Sequence, residues 1–144
     1  MWKWNKYGTS LFTCHISADE ELDLNETVLP PMLIQPFIEN AIWHGTSNLQ
    51  KGVTINVHFK KEDNQLVCTI EDDGMGIVKS LKNKESATHL HHSVGITNIK
   101  NRIQLLNEKY NLQCNIVIED KSVLTGSIET GTLVTLKLPI DLNV

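Results

Sequence analysis

The sequence predicts an α/β sandwich in which a mixed sheet of about five strands is covered on one face by helices. Apolar residues alternate with polar ones in five separate segments, which is typical of half-buried strands. In two further segments apolar residues recur at intervals of three and four, which is typical of amphipathic helices. The chain has 144 residues, enough for one hydrophobic core, so we interpret residues 1–144 as a single domain.

The predicted strands follow from the alternation of apolar side chains. The five segments are 10–17, 53–59, 66–70, 114–118 and 132–138. A polar turn over Glu62–Gln65 separates the second strand from the third, which indicates a hairpin. Pro139 is expected to end the last strand.

Two helices complete the predicted architecture. The first spans about Pro31–His44, with apolar pairs every four residues and Gly45 placed to end it. The second spans about Gly95–Tyr110 and has a single apolar stripe. Residues 78–93 are polar and have no periodicity, so we expect a mobile loop there, and residues 122–131 are expected to form a turn region.

The composition excludes several classes of protein. The net charge is −4 and Arg102 is the only arginine, so we expect no nucleic-acid surface. The apolar stretches fall short of the roughly 20 residues that a membrane helix needs, so no direct membrane contact is expected. Cys14, Cys68 and Cys114 are an odd number without a CxxC motif, and we interpret them as reduced core residues of a cytosolic protein. Residues 1–7 have no signal-peptide character and are interpreted as linker or added residues.

Two motifs lie on the first helix and after the third strand. Residues 39–45 are Glu-Asn-Ala-Ile-Trp-His-Gly, and helical spacing places Asn40 and His44 in one row with Glu39 beside it. The Asn40 amide oxygen is a suitable ligand for Mg²⁺ carrying phosphates, although a solvated helix face would show the same pattern. Residues 72–77 are Asp-Asp-Gly-Met-Gly-Ile. Here a carboxylate can accept a hydrogen bond from the amino group of a base. The two glycines lack side chains, so a ligand can approach the backbone closely. An ordinary acidic turn is the alternative interpretation.

Two weaker motifs follow. Residues 93–98, Ser-Val-Gly-Ile-Thr-Asn, place a glycine where a helix opens after a loop, and free N–H groups there attract anions. Loop glycines are common, so this motif alone has little specificity. Gly131 and Thr132 enter the last strand, and Thr132 shares the apolar face of that strand. The Thr132 hydroxyl could therefore reach a ligand at the mouth of the core, although a simple strand start would look the same.

In this order and spacing, the four motifs resemble the N box, G1 box, G2 box and terminal Gly-Thr motif of the GHKL superfamily. That superfamily comprises gyrase, the Hsp90 chaperone, histidine kinases and MutL. Residues 30–45 and 95–103 are most similar to the N box and G2 helix of LytS-type histidine kinases. The resemblance covers about residues 10–140 and implies the Bergerat α/β sandwich, in agreement with the periodicity.

The resemblance implies ATP and Mg²⁺ as cofactors and a role for each motif residue. Asn40 is expected to ligate Mg²⁺, with Glu39 as a possible further ligand, and His44 to lie near the phosphates or ribose. Asp72 is expected to accept a hydrogen bond from the adenine amino group, and Thr132 to assist through water. The implied ATP-binding residues are Asn40, His44, Asp72, Gly74, Gly76, Ile77, Gly95, Ile96 and Thr132.

Several positions distinguish this chain from other superfamily members. Pro36 stands where the ATP-hydrolysing members similar to Hsp90 and MutL have a glutamate general base, so efficient hydrolysis is not expected. Residues 78–94 correspond to the ATP lid and Gly95 to its hinge. Ser93 replaces a glycine of the G2 box, and Trp43 stands where many N boxes have lysine. Both differences are expected to affect lid geometry and nucleotide affinity.

The resemblance implies the ATP-binding catalytic domain of a two-component sensor histidine kinase. None of the six histidines lies on a long helical hairpin of the kind that presents the phosphoacceptor, so we assign no catalytic residue in this chain. The γ-phosphoryl group is expected to pass to a histidine on a separate segment and then to a response regulator. The expected setting is the cytoplasmic domain of a membrane-anchored, dimeric sensor. A non-catalytic binding module and a serine/threonine kinase of the same fold are the alternatives.

Overall fold

The structure is a computed structural model that describes residues 12–23, 25, 27, 29, 33–46, 52–82, 88–126 and 128–140. Within its helices, the side chains of residues 43–46, 80–82 and 88–95 are not described. The strands are β1 (Phe12–Ala18), β2 (Val53–Glu62), β3 (Gln65–Asp72), β4 (Asn115–Asp120) and β5 (Thr132–Pro139). They form one sheet in the order β1-β2-β3-β5-β4. β1 pairs with β2 in parallel and the other pairs are antiparallel, which confirms the predicted mixed sheet.

Four helices accompany the sheet in the described part of the chain. They are α1 (Gln35–Thr46), α2 (Ile77–Lys82), α3 (Thr88–Tyr110) and α4 (Lys121–Leu124). The two long helices, α1 and α3, contact each other, and both contribute buried side chains to the core of the sheet. None of the described helices is both long enough and apolar enough to cross a membrane.

The core lies between α1, α3 and one face of the sheet. Strand register aligns the apolar side chains of that face in rows, so that Ile70 of β3 lies opposite Val134 of β5, which lies opposite Ile118 of β4. The helices close this face with Phe37 and Ala41 of α1 and Ile99 and Ile103 of α3, and Leu33, just before α1, joins them. All these positions follow the strand and helix periodicities of the sequence.

The cysteines are free thiols, two of them buried. Burial raises the pKa of the Cys68 thiol to about 12. The thiolate is the reactive form of cysteine, so Cys68 is inert at neutral pH and acts as an apolar core residue.

The first helix begins later than predicted. α1 begins at Gln35 rather than near Pro31, because the Ile34 carbonyl accepts the first hydrogen bonds, from the N–H groups of Phe37 at 3.0 Å and Ile38 at 3.3 Å. Pro36 therefore occupies the first turn, where no intrahelical N–H is required. The helix extends through the predicted stop at Gly45 to Thr46.

Two segments predicted to be irregular contain helix. The predicted loop over residues 78–93 includes α2 and the first turns of α3, which begins at Thr88 rather than at Gly95. The predicted turn region over residues 122–131 begins inside α4. These stretches are polar and short, so hydrophobic periodicity gave no signal for them. The Asp120 carboxylate caps both α2 and α4, because it accepts the distant Val78 N–H and the neighbouring Ser122 N–H.

The placement of the core can be tested at Leu136. This side chain is fully buried in β5, opposite Cys68 and Ile116. Leu136→Ala leaves a cavity, so we expect the free energy of unfolding in urea to fall by about 2–5 kcal/mol. Leu105→Ala is the matched control, because Leu105 is 64% exposed, and its effect should stay below about 0.5 kcal/mol. Equal losses in the two variants would contradict the described core.

Candidate functional site

A pocket opens where β3 ends and β5 begins, between the sheet and the helices α1 and α3. Most of its wall is apolar. The lining residues are Phe37, Asn40, Ala41, Ile70, Asp72, Met75, Gly76, Ile96, Ile118, Thr132 and Val134. Among the lining residues in the described part of the chain, Asp72 is the only ionisable one. The pocket therefore combines a mostly apolar wall with a single carboxylate.

Asp72 faces the pocket because of its place in the strand. It is in phase with Leu66, Cys68 and Ile70 on the core face, as the last residue of β3. Its carboxylate accepts hydrogen bonds from the backbone N–H groups of Gly74, at 2.9 Å, and Thr132. Burial nevertheless prevails over these two bonds and raises the pKa of Asp72 to about 6.

Asp73 has a different environment. It is exposed, its carboxylate accepts a hydrogen bond from the Thr54 N–H at 2.7 Å, and its own N–H donates to the Thr54 carbonyl at 3.2 Å. These bonds tie Asp73 to β2 rather than to the pocket. Of the two adjacent aspartates, only Asp72 lines the pocket.

Glycine is required where the pocket's loops approach each other. Gly131 has φ +119°, and a Cβ there would lie 1.9 Å from the Asp72 carbonyl oxygen. Gly76 has φ +80°, and a Cβ there would lie 2.7 Å from a carboxylate oxygen of Asp120. Both backbones need a positive φ and the absence of a side chain, so the entry to β5 and the loop after β3 can close on the same site.

A buried lysine supports the turn that leads into β5. The Lys121 N–H donates to the Gly131 carbonyl at 3.0 Å, and its ammonium group pairs with Glu71 and Glu129. Burial disfavours the charged ammonium, but the hydrogen bonds and charges of the two glutamates outweigh it and raise the pKa of Lys121. The charged lysine is therefore compensated within the fold.

The opposite wall of the pocket comes from the helices. In α1, Phe37, Asn40 and Ala41 line the pocket, and Ile96 of α3 joins them. Glu39, the possible further metal ligand, is exposed and accepts a hydrogen bond from the Gln35 amide at 2.6 Å. It is absent from the described lining.

The structure brings most of the predicted site residues together. Asn40, Asp72, Gly76, Ile96 and Thr132 line the pocket, and Gly74 contacts the Asp72 carboxylate through its N–H. Ile77 lies just outside the lining, at the start of α2, where its N–H donates to Asp120. His44 lies in α1 and Gly95 in α3, but their surroundings, like the side chains of His89, His91 and His92, are outside the described residues.

Sequence reasoning missed the apolar walls and one carboxylate. The unassigned lining residues are Phe37, Ala41, Ile70, Met75, Ile118 and Val134. Strand alternation placed Ile118 and Val134 on the core face, but only the fold shows that this end of the core is open. Asp120 was missed although it continues the phase of Ile116 and Ile118, and a charged residue in phase with an apolar face is a usable signal.

Comparison with known proteins identifies the family of this chain. Residues 29–142 match the family described as histidine kinase-, DNA gyrase B-, and HSP90-like ATPase. The sensor protein LytS of Oceanobacillus iheyensis is 29% identical over 89% of this chain, and the sensor histidine kinase YpdA of Escherichia coli is 28% identical over 70%. The chain spans only 22% and 17% of the lengths of these two relatives.

Solved structures show the same fold. The blue-light activated histidine kinase of Erythrobacter litoralis superposes with a TM-score of 0.54 at 18% identity, over 95% of this chain and 37% of that one. The predicted GHKL fold is thus confirmed, and this chain belongs to the family of histidine kinase-, DNA gyrase B- and HSP90-like ATPases.

Proposed function

We propose that this chain binds Mg·ATP in the pocket and donates the γ-phosphoryl group to a histidine on a separate segment. The observation that best supports this proposal is the single carboxylate of Asp72 inside an apolar pocket. Adenine is complementary to that arrangement, because it has apolar faces and an amino group that donates hydrogen bonds. The names of the relatives, a sensor protein and a sensor histidine kinase, support the same function.

The adenine would lie against the sheet. Ile70, Ile118 and Val134 form one row across three strands and would offer an apolar surface to the base. Asp72, two residues beyond Ile70 in β3, would accept the hydrogen bond from the amino group, and Thr132 on β5 would contribute through water. Because burial already disfavours the free carboxylate, a donor from the ligand would be strongly attracted to it.

The phosphates would lie toward α1. Asn40 offers an amide oxygen on the pocket wall, and Mg²⁺ commonly takes few protein ligands because phosphates and water complete its octahedron. Bound Mg²⁺ would neutralise charge on the phosphates during transfer. The proposal includes three further residues. His44 would lie near the phosphates or ribose, and Ile77 would pack against the base. Gly95 would be the hinge of the lid over residues 78–94.

The site favours transfer to an external acceptor over hydrolysis. Asp72 is the only ionisable lining residue in the described part of the chain, and its proposed place is at the base rather than at the phosphates. Pro36, one turn before Asn40, has no group that could accept a proton from water. Phosphoryl transfer needs mainly positioning and charge stabilisation. The bond from the γ-phosphorus to the bridging oxygen would break, a bond to an imidazole nitrogen would form, and ADP would leave.

The rest of the signalling assembly is also part of the proposal. The acceptor histidine, the dimer contacts and the membrane-anchored sensor would reside in segments outside this cytoplasmic domain, and a response regulator would receive the phosphoryl group. The shares of LytS and YpdA that this chain leaves unmatched are large enough to hold such segments. Serine/threonine phosphorylation by the same fold is a second candidate that the test below distinguishes.

Calorimetry of ATP with this chain, with and without Mg²⁺, is the first test. Saturable binding that strengthens with Mg²⁺ is expected, whereas no binding would leave a non-catalytic module. Radioactive ATP should then give no stable label on this chain alone and acid-labile label on an added histidine-bearing segment of a LytS-type kinase. Acid-stable label on an added protein would identify a serine/threonine kinase instead.

Asp72→Asn tests the adenine contact. The amide replaces an acceptor with a mixed donor and acceptor, so we expect ATP to bind about tenfold or more weakly by calorimetry. Asp73→Asn is the matched control, because Asp73 is exposed and bonded to Thr54, and its affinity should change less than about twofold. Similar losses for the two neighbours would contradict the assignment of Asp72.

Asn40→Ala tests the metal contact. Loss of the amide oxygen should remove most of the gain in ATP affinity that Mg²⁺ provides, about tenfold, and leave adenosine binding unchanged. Glu39→Gln is the control for a second ligand, because Glu39 is exposed and pairs with Gln35. We expect that variant to keep its Mg²⁺ dependence. A normal Mg²⁺ response in Asn40→Ala would disprove this metal assignment.

The raised pKa of Asp72 predicts a pH dependence of binding. Below about pH 6 the Asp72 carboxyl is largely protonated in the free protein, so it can no longer act as a full acceptor and affinity should fall as the pH falls. Adenosine is the suitable probe because it has no titrating phosphate. At pH 6 binding should also release protons, which calorimetry detects as a dependence of the enthalpy on the buffer. Asp72→Asn should show neither effect, and a pH-independent wild-type affinity would contradict the proposed contact.

A further inference from the structure

Asp120 is a buried carboxylate that does not line the pocket. It is the last residue of β4, only 8% exposed, and lies opposite Thr132 of β5. Charged side chains are rarely buried to this degree unless they are fully hydrogen-bonded. Its partners therefore indicate what it holds in place.

The two oxygens of the Asp120 carboxylate bond to two different segments. One accepts the Val78 N–H at 2.7 Å, and the Ile77 N–H also donates to the carboxylate. The other accepts the Ser122 N–H at 2.8 Å and the Ser122 hydroxyl. Burial opposes the charge, but these four hydrogen bonds outweigh it and lower the pKa of Asp120. One ionised side chain thus caps the first turns of both α2 and α4.

Gly76 connects this cap to the pocket. It lines the pocket, and a Cβ on it would lie 2.7 Å from the Asp120 oxygen and 3.1 Å from the Gly131 carbonyl oxygen. The carboxylate is therefore packed directly against the Gly76 backbone. A shift of Asp120 would let residues 73–77 move relative to Asp72 and Thr132.

We propose that Asp120 is a positioning residue of the nucleotide site, which holds the loop over residues 73–77 against Asp72 and Thr132 through the N–H groups of Ile77 and Val78. The inference rests on the proposed nucleotide binding, and it adds to that site a residue that does not line the pocket. With the loop held in place, the ligand meets a preformed pocket. Without Asp120, the ligand would have to order the loop itself, at the expense of affinity.

Two substitutions separate the two caps. Asp120→Ser keeps a hydroxyl that can accept the Ser122 N–H and cap α4, but it is too short to keep the bonds to Ile77 and Val78 as well. Ser122→Ala removes one hydrogen bond on the α4 side and leaves the α2 side intact. If Asp120→Ser fails to fold by circular dichroism, Asp120→Asn replaces it, because its single carbonyl oxygen can serve only one of the two segments.

Calorimetry with adenosine and with Mg·ATP provides the first readout, at a temperature where thermal unfolding shows every variant folded. Asp120→Ser should bind both ligands about tenfold more weakly, because the loop that it no longer holds lies beside the proposed adenine site, which both ligands occupy. The affinity of Ser122→Ala should change less than about twofold. Equal affinities for wild type and Asp120→Ser, with Asp72→Asn still impaired, would overturn the inference and leave the proposed function standing.

Amide hydrogen exchange of the ligand-free protein provides the second readout. Asp120→Ser should lose protection at Ile77 and Val78, and Ser122→Ala should keep it. Unchanged protection in Asp120→Ser would refute the positioning role whatever the nucleotide result. Absence of adenosine and ATP binding in the wild type would instead refute the proposed function, so the two failures are distinguishable.

Discussion

The site depends on the strand register that places polar residues in one row at the open end of an apolar face. Asp72 on β3, Thr132 on β5 and Asp120 on β4 continue the phase of the core residues below them. A slip of one residue in any of these strands would move its polar member to the outer face. The hydrophobic core below the row makes such a slip costly, so packing of the core fixes the site.

The two carboxylates of this row have opposite pKa shifts for one physical reason. Asp120 receives four hydrogen bonds, which outweigh burial and lower its pKa. Asp72 receives two, and burial prevails, raising its pKa to about 6. Asp120 is thus saturated by its own fold, whereas Asp72 keeps capacity to accept a hydrogen bond. The donors of Asp120 all come from the backbone and side chain of its own fold, whereas Asp72 lines the pocket.

The strands and the main helices could be predicted because their signals are local. Alternation located β2, β3 and β5, and four-residue spacing located the buried face of α1. The helix starts were wrong because they depend on which carbonyl accepts the first hydrogen bond, as at Ile34. α2 and α4 were missed because both are short, and because α2 takes its N-terminal hydrogen bonds from Asp120, which is distant from it in sequence.

The sequence by itself determined the fold class, the family resemblance and the presence of Asn40, Asp72, Gly76, Ile96 and Thr132 in one candidate site, since each belongs to a local motif or periodicity. Only the tertiary structure decided that Asp73 is bonded to β2, that Glu39 does not line the pocket, and that Asp120 bonds to the segment after β3. These outcomes depend on contacts between residues far apart in the chain. Burial and hydrogen bonding between strands are properties of the assembled sheet, and no single segment contains them.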